Sequence, residues 1–273
     1  MNKKSYLKIA NKAATLQIKE LRKIKKVFNS SFINAVDLII NCKGKIILAG
    51  IGKSGLIAKK ISATFSSVGI PSFFCDPAQA LHGDMGQIEK KDILIILSYS
   101  GNTSELTNML KYANRSRIKI IGVASKSDSL LLKASDVKIL LPKVKESDVI
   151  GMVPTSSTSI TLLLGDCLAT TVMYKRKFSK DKFKIFHPGG NIGSSLLLAK
   201  DIMVKGNKLP IISFKKNLVD ALKIMNQKKL GIIVILKKNR IAGLVTDGDL
   251  RREMKFLSKK TSLQKFMNKK PYV

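Results

Sequence analysis

The sequence has no tryptophan, and aromatic residues fill only 6% of its 273 positions. A ladder of rings for stacking single-stranded nucleic acid is therefore not expected. Cysteine is scarce as well. Cys42, Cys75 and Cys167 are odd in number, far apart and without a C-x-x-C pair, which excludes a disulfide framework and gives no zinc signature. Each reads as a small core residue. Acidic residues are outnumbered 18 to 50 by basic ones, for a net charge of +32. Such an excess can mark a nucleic-acid or acidic-surface binder. Here lysines outnumber arginines 43 to 7, although arginine is the better residue for bidentate phosphate and base recognition. Basic residues also occur throughout the chain, as in Lys23-Ile24-Lys25-Lys26, Lys175-Arg176-Lys177 and Lys259-Lys260. We read a lysine-rich solvated surface that helps steer anions, with no nucleic-acid partner. No apolar run approaches a membrane span, and no apolar signal-peptide core follows Met1. A cytoplasmic protein without a membrane partner is expected.

What is present is a core. Hydrophobic residues make up 45% of the chain, enough for one large or two modest domains. Residues 5–41 show helical spacing, with Leu16, Ile18, Leu21, Ile24 and Val27 on one stripe. Short apolar strands are expected at about 45–49, 71–75, 92–97, 118–124 and 137–141, with helical patterns between most of them. That alternation predicts an α/β fold, a five-stranded parallel sheet covered by helices on both faces. Thr155-Ser156-Ser157-Thr158 then leads into an apolar helix, Ile160 to Met173. After a composition break near 199–210 comes a smaller α+β unit. It has a helix near 217–228, strands Gly231–Leu236 and Ile241–Val245, and a helix opened by Thr246-Asp247-Gly248-Asp249.

Two loops share one build. Gly50-Ile51-Gly52-Lys53-Ser54-Gly55 follows the first strand, and Ser98-Tyr99-Ser100-Gly101-Asn102-Thr103-Ser104-Glu105 follows the third. In an open parallel sheet such loops lie at the carboxyl edge, where ligands bind. Glycines allow close backbone approach, hydroxyls donate hydrogen bonds, and free amides at helix starts suit a phosphate. Lys53 adds a cation and Glu105 a carboxylate, a combination suited to sugar-phosphate chemistry. A Walker A loop is set aside, because its first glycine would fall at Ile47. A dinucleotide fingerprint competes, since Gly50, Gly52 and Gly55 fit G-x-G-x-x-G and Asp76 stands near the ribose-binding spacing. Lys53 inside the turn and the serine-rich second loop weigh against it. The two histidines, His82 and His187, both sit in glycine-bearing motifs.

In order along the chain, Gly50 to Gly55, His82-Gly83-Asp84-Met85-Gly86, Ser98 to Glu105, Pro154 to Thr158, His187-Pro188-Gly189-Gly190 and Thr246 to Arg252 resemble the bacterial D-arabinose 5-phosphate isomerases. That family joins a sugar-isomerase (SIS) domain to a pair of CBS motifs. The resemblance implies an N-terminal helical segment 1–40, a SIS domain 41–195, one CBS motif 200–258 and the start of a second at 259–273. It implies interconversion of D-ribulose 5-phosphate and D-arabinose 5-phosphate through an enediol, supplying the octulosonate sugar of lipopolysaccharide. No metal or redox cofactor is required. Lys53, Glu105, Glu146 and His187 match the family's catalytic positions. Gly52, Ser54, His82, Ser98, Ser100 and Thr103 match positions around the substrate and its phosphate. We expect Glu105 as base, Lys53 on phosphate or enediolate oxygens, His187 opening the sugar ring or shuttling a proton, and Glu146 orienting His187 or serving as the second acid–base group.

Two positions depart from the family. Tyr99 and Asn102 replace small or acidic residues of the second loop, with a slight effect on substrate preference expected. One CBS motif lacks the intrachain partner of a nucleotide cleft, so it is expected to pair with another chain's unit or to stay mobile. The apolar N-terminal stripe and the helix 160–173 suggest a homotetramer. The alternative from another class is a sugar-phosphate-sensing SIS module without catalysis. Retention of Lys53, Glu105, Glu146 and His187 together favours the enzyme.

Overall fold

The five apolar runs assemble into one parallel sheet in the computed structural model of the chain, which describes residues 3–187, 198–252 and 262–271. Two compact units divide the chain, Met1–Leu196 and Leu197–Val273. Pro188-Gly189-Gly190, the expected end of the first domain at 195 and the expected junction at 258–259 fall outside the described residues.

In the first unit the strands are β1 (Ile46–Gly50), β2 (Ser72–Cys75), β3 (Ile93–Leu97), β4 (Lys119–Ala124) and β5 (Val137–Leu140), in spatial order β2-β1-β3-β4-β5. β1 and β3 are buried at every position, which is why they read as continuous apolar runs rather than alternating ones. Ile46 and Leu48 join one core with α2 (Ser30–Ile40), α3 (Lys53–Ser67) and α6 (Ser156–Lys175). Ile47 and Ala49 join the other, under α4 (Leu106–Arg115) and α5 (Leu130–Ala134). At the α3–α6 crossing a Cβ on Gly165 would stand 2.2 Å from Ile61 Cδ1, so the glycine sets how closely the two helices approach. A short helix, α7 (Lys180–Phe186), follows, with Phe178 and Phe186 stacked.

The N-terminal stretch is not one helix. α1 (Lys3–Leu21) passes into a 3₁₀ turn, Arg22–Val27, and α2 starts afresh after Asn29, whose side chain accepts the Ser31 N–H at 2.9 Å. Three residues per turn instead of 3.6 shifts the phase of the stripe. Ile24 and Val27 are buried, while Ile18 faces solvent at 55% exposure.

The second unit has a short helix α8 (Ala199–Ile202) and a three-stranded sheet: β6 (Ile211–Ser213) parallel to β7 (Ile232–Lys237), and β7 antiparallel to β8 (Arg240–Thr246). β6 was not expected, being too short to show a period. α9 (Leu218–Lys228) is capped by Asn217 and stops at Lys229, in the left-handed region at φ +53°. α10 (Asp247–Arg252) follows β8. Residues 262–271 of the tail, which was expected to begin a second motif, lie on the unit itself. Leu263 is fully buried in this core, and Asn268 exchanges both backbone hydrogen bonds with Leu244, at 2.8 and 3.0 Å. Gly243 permits that approach, since a Cβ there would meet Asn268 O at 2.7 Å.

Candidate active site

Gly50, the last residue of β1, pairs in register with Leu97, the last of β3, so the two loops emerge side by side. Chain order reverses direction between β1 and β3, the switch point where an open α/β sheet leaves a crevice. Gly52 holds φ +58° and ψ −129° as the residue before α3, a conformation open to glycine alone. In the second loop the Ser98 Oγ lies 2.9 Å from Thr103 Oγ1 and accepts the Gly101 N–H at 3.1 Å. Gly101 has φ +71°, and a Cβ there would stand 2.3 Å from Ser129 Oγ.

A cavity of about 510 Å³ lies over this edge. Lys53 and Ser54, in the first turn of α3, and Ser157 and Thr158, in the first turn of α6, border it together with Ser100, Tyr99 and Glu146. Two helix N-termini, a lysine and several hydroxyls give it the chemistry that suits an anion, with one carboxylate on its wall. Glu146 Oε2 accepts the Thr155 N–H at 2.8 Å, the Thr155 hydroxyl at 2.9 Å and the Ser157 N–H at 3.3 Å, and so caps α6 from outside the helix. Burial pushes its carboxyl up, but the Ser157 and Thr155 donors outweigh this and hold it below the ordinary 4.5. Tyr99 donates its hydroxyl to Pro142 O at 3.2 Å and accepts the Val144 N–H at 2.9 Å. Burial raises its pKa. Asp148 accepts the amides of Ile150, Met152 and Val153, at 2.9, 3.3 and 2.9 Å, and so shapes the loop that brings Gly151, Met152 and Pro154 to the cavity.

Of the residues expected at the site, Lys53, Ser54, Ser100 and Glu146 share this cavity. Gly52 shapes the turn beneath it, and Ser98 and Thr103 brace the second loop from below. Glu105 stands exposed at the start of α4, outside the lining, with its carboxylate accepting the Ser104 hydroxyl at 2.8 Å. Its own N–H and that hydroxyl hold its pKa below 4.5. His82 is exposed at the end of a short 3₁₀ turn, Gln79–His82. His187 does not line the cavity. Its ring stacks on Phe183 at 3.8 Å, and its Nδ1 is 2.9 Å from Phe183 O. The neighbouring Phe186 ring reaches Gly69, beyond the far end of α3. Gly69 lies just past the end of α3 opposite Lys53, 15 residues and about 22 Å along the helix. Asn102, singled out as a departure, caps α5 at Leu130 N at 2.8 Å and is not in the lining. Tyr99, the other departure, does line it. Thr158 and Thr161 went unassigned, although a hydroxyl run before an apolar helix signals a helix start. Among the described residues no three His, Cys, Asp or Glu side chains are grouped to hold a metal, and no helix is long and apolar enough to cross a membrane.

Comparison with known proteins gives two domain matches, a SIS domain over residues 38–171 and a CBS domain over residues 199–255. The arabinose 5-phosphate isomerase KdsD of Escherichia coli K12 is 40% identical over 234 residues, 85% of this chain and 71% of that protein. KdsD of Pseudomonas aeruginosa PAO1 is 42% identical over 225 residues, 82% of this chain and 69% of that protein. Among solved structures, Escherichia coli CFT073 c3406 in complex with arabinose 5-phosphate superposes with a TM-score of 0.67 at 31% identity, covering 69% of this chain and all of that one.

Proposed function

The chain belongs to the arabinose 5-phosphate isomerase family, and from that membership and its own cavity we infer that it interconverts D-ribulose 5-phosphate and D-arabinose 5-phosphate. The observation that carries the reading is a single cavity in which Lys53, Ser54, Ser100 and Glu146 meet the N-termini of α3 and α6. The phosphate sits on the helix starts, held by Ser54 and Ser100. Lys53 stabilises charge on the phosphate or on the enediolate oxygens. A base must move a proton between C1 and C2. Glu105 is assigned that role, from the helix start that follows the second loop. Glu146, ionised and fixed as the cap of α6, touches and orients the sugar rather than carrying a proton.

His82 and His187 are assigned to a neighbouring subunit's cavity in a homotetramer. For His187 the approach of Phe186 to Gly69, past the end of α3 opposite Lys53, supports this, as do exposed apolar side chains such as Leu7, Ile33 and Leu56. The three free thiols suit the reducing cytoplasm, where the product would feed octulosonate synthesis for lipopolysaccharide. The test is a coupled assay for conversion of D-ribulose 5-phosphate, run beside other pentose and hexose phosphates. Conversion of the pentose phosphate above the enzyme-free rate is expected. Tight sugar-phosphate binding without turnover would favour the sensing module instead.

A further inference from the structure

Between β5 and α6 the chain runs as an irregular strap, and its successive residues are engaged from opposite sides. Val144 and Glu146 border the cavity. Lys143, Lys145 and Ser147 are held by the end of α1 and the turn after it. The Lys23 ammonium donates to Lys143 O at 3.1 Å, the Lys145 N–H donates to Glu20 Oε2 at 3.0 Å, and the Gln17 amide donates to Ser147 Oγ at 3.1 Å. Gln17, Glu20 and Lys23 recur every third residue, the spacing of one helical face. Gln17 Oε1 also accepts the Ser159 hydroxyl of α6 at 3.4 Å. On the cavity side Tyr99 takes the Val144 N–H. Every residue from 143 to 147 thus has a side-chain or main-chain group fixed by a partner.

Glu20 is the informative member. It is 2% exposed and ion-paired with Lys23. A buried carboxylate is a poor route to stability, since its desolvation offsets much of what the pair gains, and an apolar side chain would fill the position more cheaply. What a carboxylate does there, and an apolar side chain could not, is bind a strap amide while holding the lysine that binds a strap carbonyl. Both bonds fall on the residues just before Glu146 and span more than a hundred residues of sequence.

We propose that Glu20, coupled to Lys23, is a positioning residue for Glu146. It fixes the main chain of the strap so that the Glu146 carboxylate meets both the start of α6 and the bound sugar. The α6 donors set the direction of that carboxylate, and the α1 clamp sets its place along the strap. The proposal rests on the reading that Glu146 contacts substrate, and the experiment separates the two.

Wild-type full-length protein, E20Q, K23M, E146Q and the E20Q/E146Q double variant are compared by kcat and KM for D-ribulose 5-phosphate. Deuterium uptake across residues 142–157 is followed in parallel. The expected result is a kcat about tenfold lower in E20Q and K23M, the scale of a small misplacement. KM should move by no more than about twofold, because the phosphate grip on α3 is untouched. Uptake over the strap should rise, and E20Q should cost nothing further in the E146Q background. An equal loss in both backgrounds marks a merely structural role and overturns the proposal. So does wild-type kcat with unchanged uptake in E20Q and K23M. Wild-type kcat in E146Q removes Glu146 from the reaction and takes the proposal's catalytic claim with it. Lys23 is part-exposed, so K23M with a K23M/E146Q double variant completes the same cycle and decides the matter should E20Q fail to fold.

Discussion

Glu105 and Glu146 are both carboxylates near one sheet edge, yet their surroundings differ. Glu146 has its Oε2 taken up by three donors, and a carboxylate so satisfied resists protonation. Glu105 is exposed, with one hydroxyl from Ser104 on its carboxylate, so it is free to turn toward a bound sugar. Its pKa is likewise held below 4.5, by its own N–H and the Ser104 hydroxyl, so what separates it from Glu146 is exposure and freedom to turn rather than charge. Glu105→Gln should therefore lower turnover by about 10²–10⁴-fold while the fold survives, the usual cost of losing a placed acid–base group. The coupled assay with a circular dichroism spectrum of the variant checks this. Near-normal turnover in a folded protein would take Glu105 out of the mechanism. Tyr99 shows what a sequence conceals at this scale. It stands out as a departure from the family, but its ties to Val144 and Pro142 depend on residues more than forty positions away.

At the scale of elements, the strands and both loops were legible because their causes are local. A strand buried on both faces needs an unbroken apolar run, and a turn at φ +58° needs Gly52. The strap was not legible. Residues 142–147 have no period, and their partners at 17, 20 and 23 are known only once α1 has packed. The break between α1 and α2 was missed because a 3₁₀ turn preserves a roughly helical spacing while changing its phase. The strap and the start of α6 also give the molecule a pH dependence. Burial pushes the Glu20 and Glu146 carboxyls up, but Lys23 and the Lys145 N–H for one, and the Ser157 and Thr155 donors for the other, leave both below 4.5. Asp148, with its loop amides, lies below 3.8. With folded values lowered, the unfolded chain binds protons first on acidification. The stabilisation is fully present above the ordinary carboxylate range and is lost as pH falls through the folded values. Urea midpoints should be flat from about pH 7 to about pH 5.5 and fall below about pH 4.5. The fall should be shallower in E20Q. A midpoint unchanged down to about pH 3 would contradict the assignment.

At the scale of the whole molecule, neither histidine lines the cavity of its own chain. His187 follows Phe186, whose ring reaches Gly69 past the end of α3 opposite Lys53, and Val149, Ile150 and Met152 project from the loop beside the cavity at 99%, 67% and 76% exposure. A homotetramer is expected in sedimentation, with a dimer as the lesser form. Mixing inactive Lys53→Ala and His187→Ala subunits should restore part of the activity, since one subunit would keep the cradle and its neighbour the histidine. A fully active monomer would refute both expectations. The second unit bears on chemistry in the opposite sense. Every residue that borders the cavity belongs to the first unit. The CBS match covers one domain, 199–255, and the tail closes on that domain's own sheet through Leu263 and Asn268. In the second unit the Thr246 amide and hydroxyl and Arg252 already occupy Asp249. Removing residues 197–273 should leave most isomerase activity in place, and ATP or AMP should bind the full chain weakly and without effect on rate. Calorimetry showing micromolar adenine-nucleotide binding that alters turnover would overturn this, and would mean that two chains build the regulatory cleft between them.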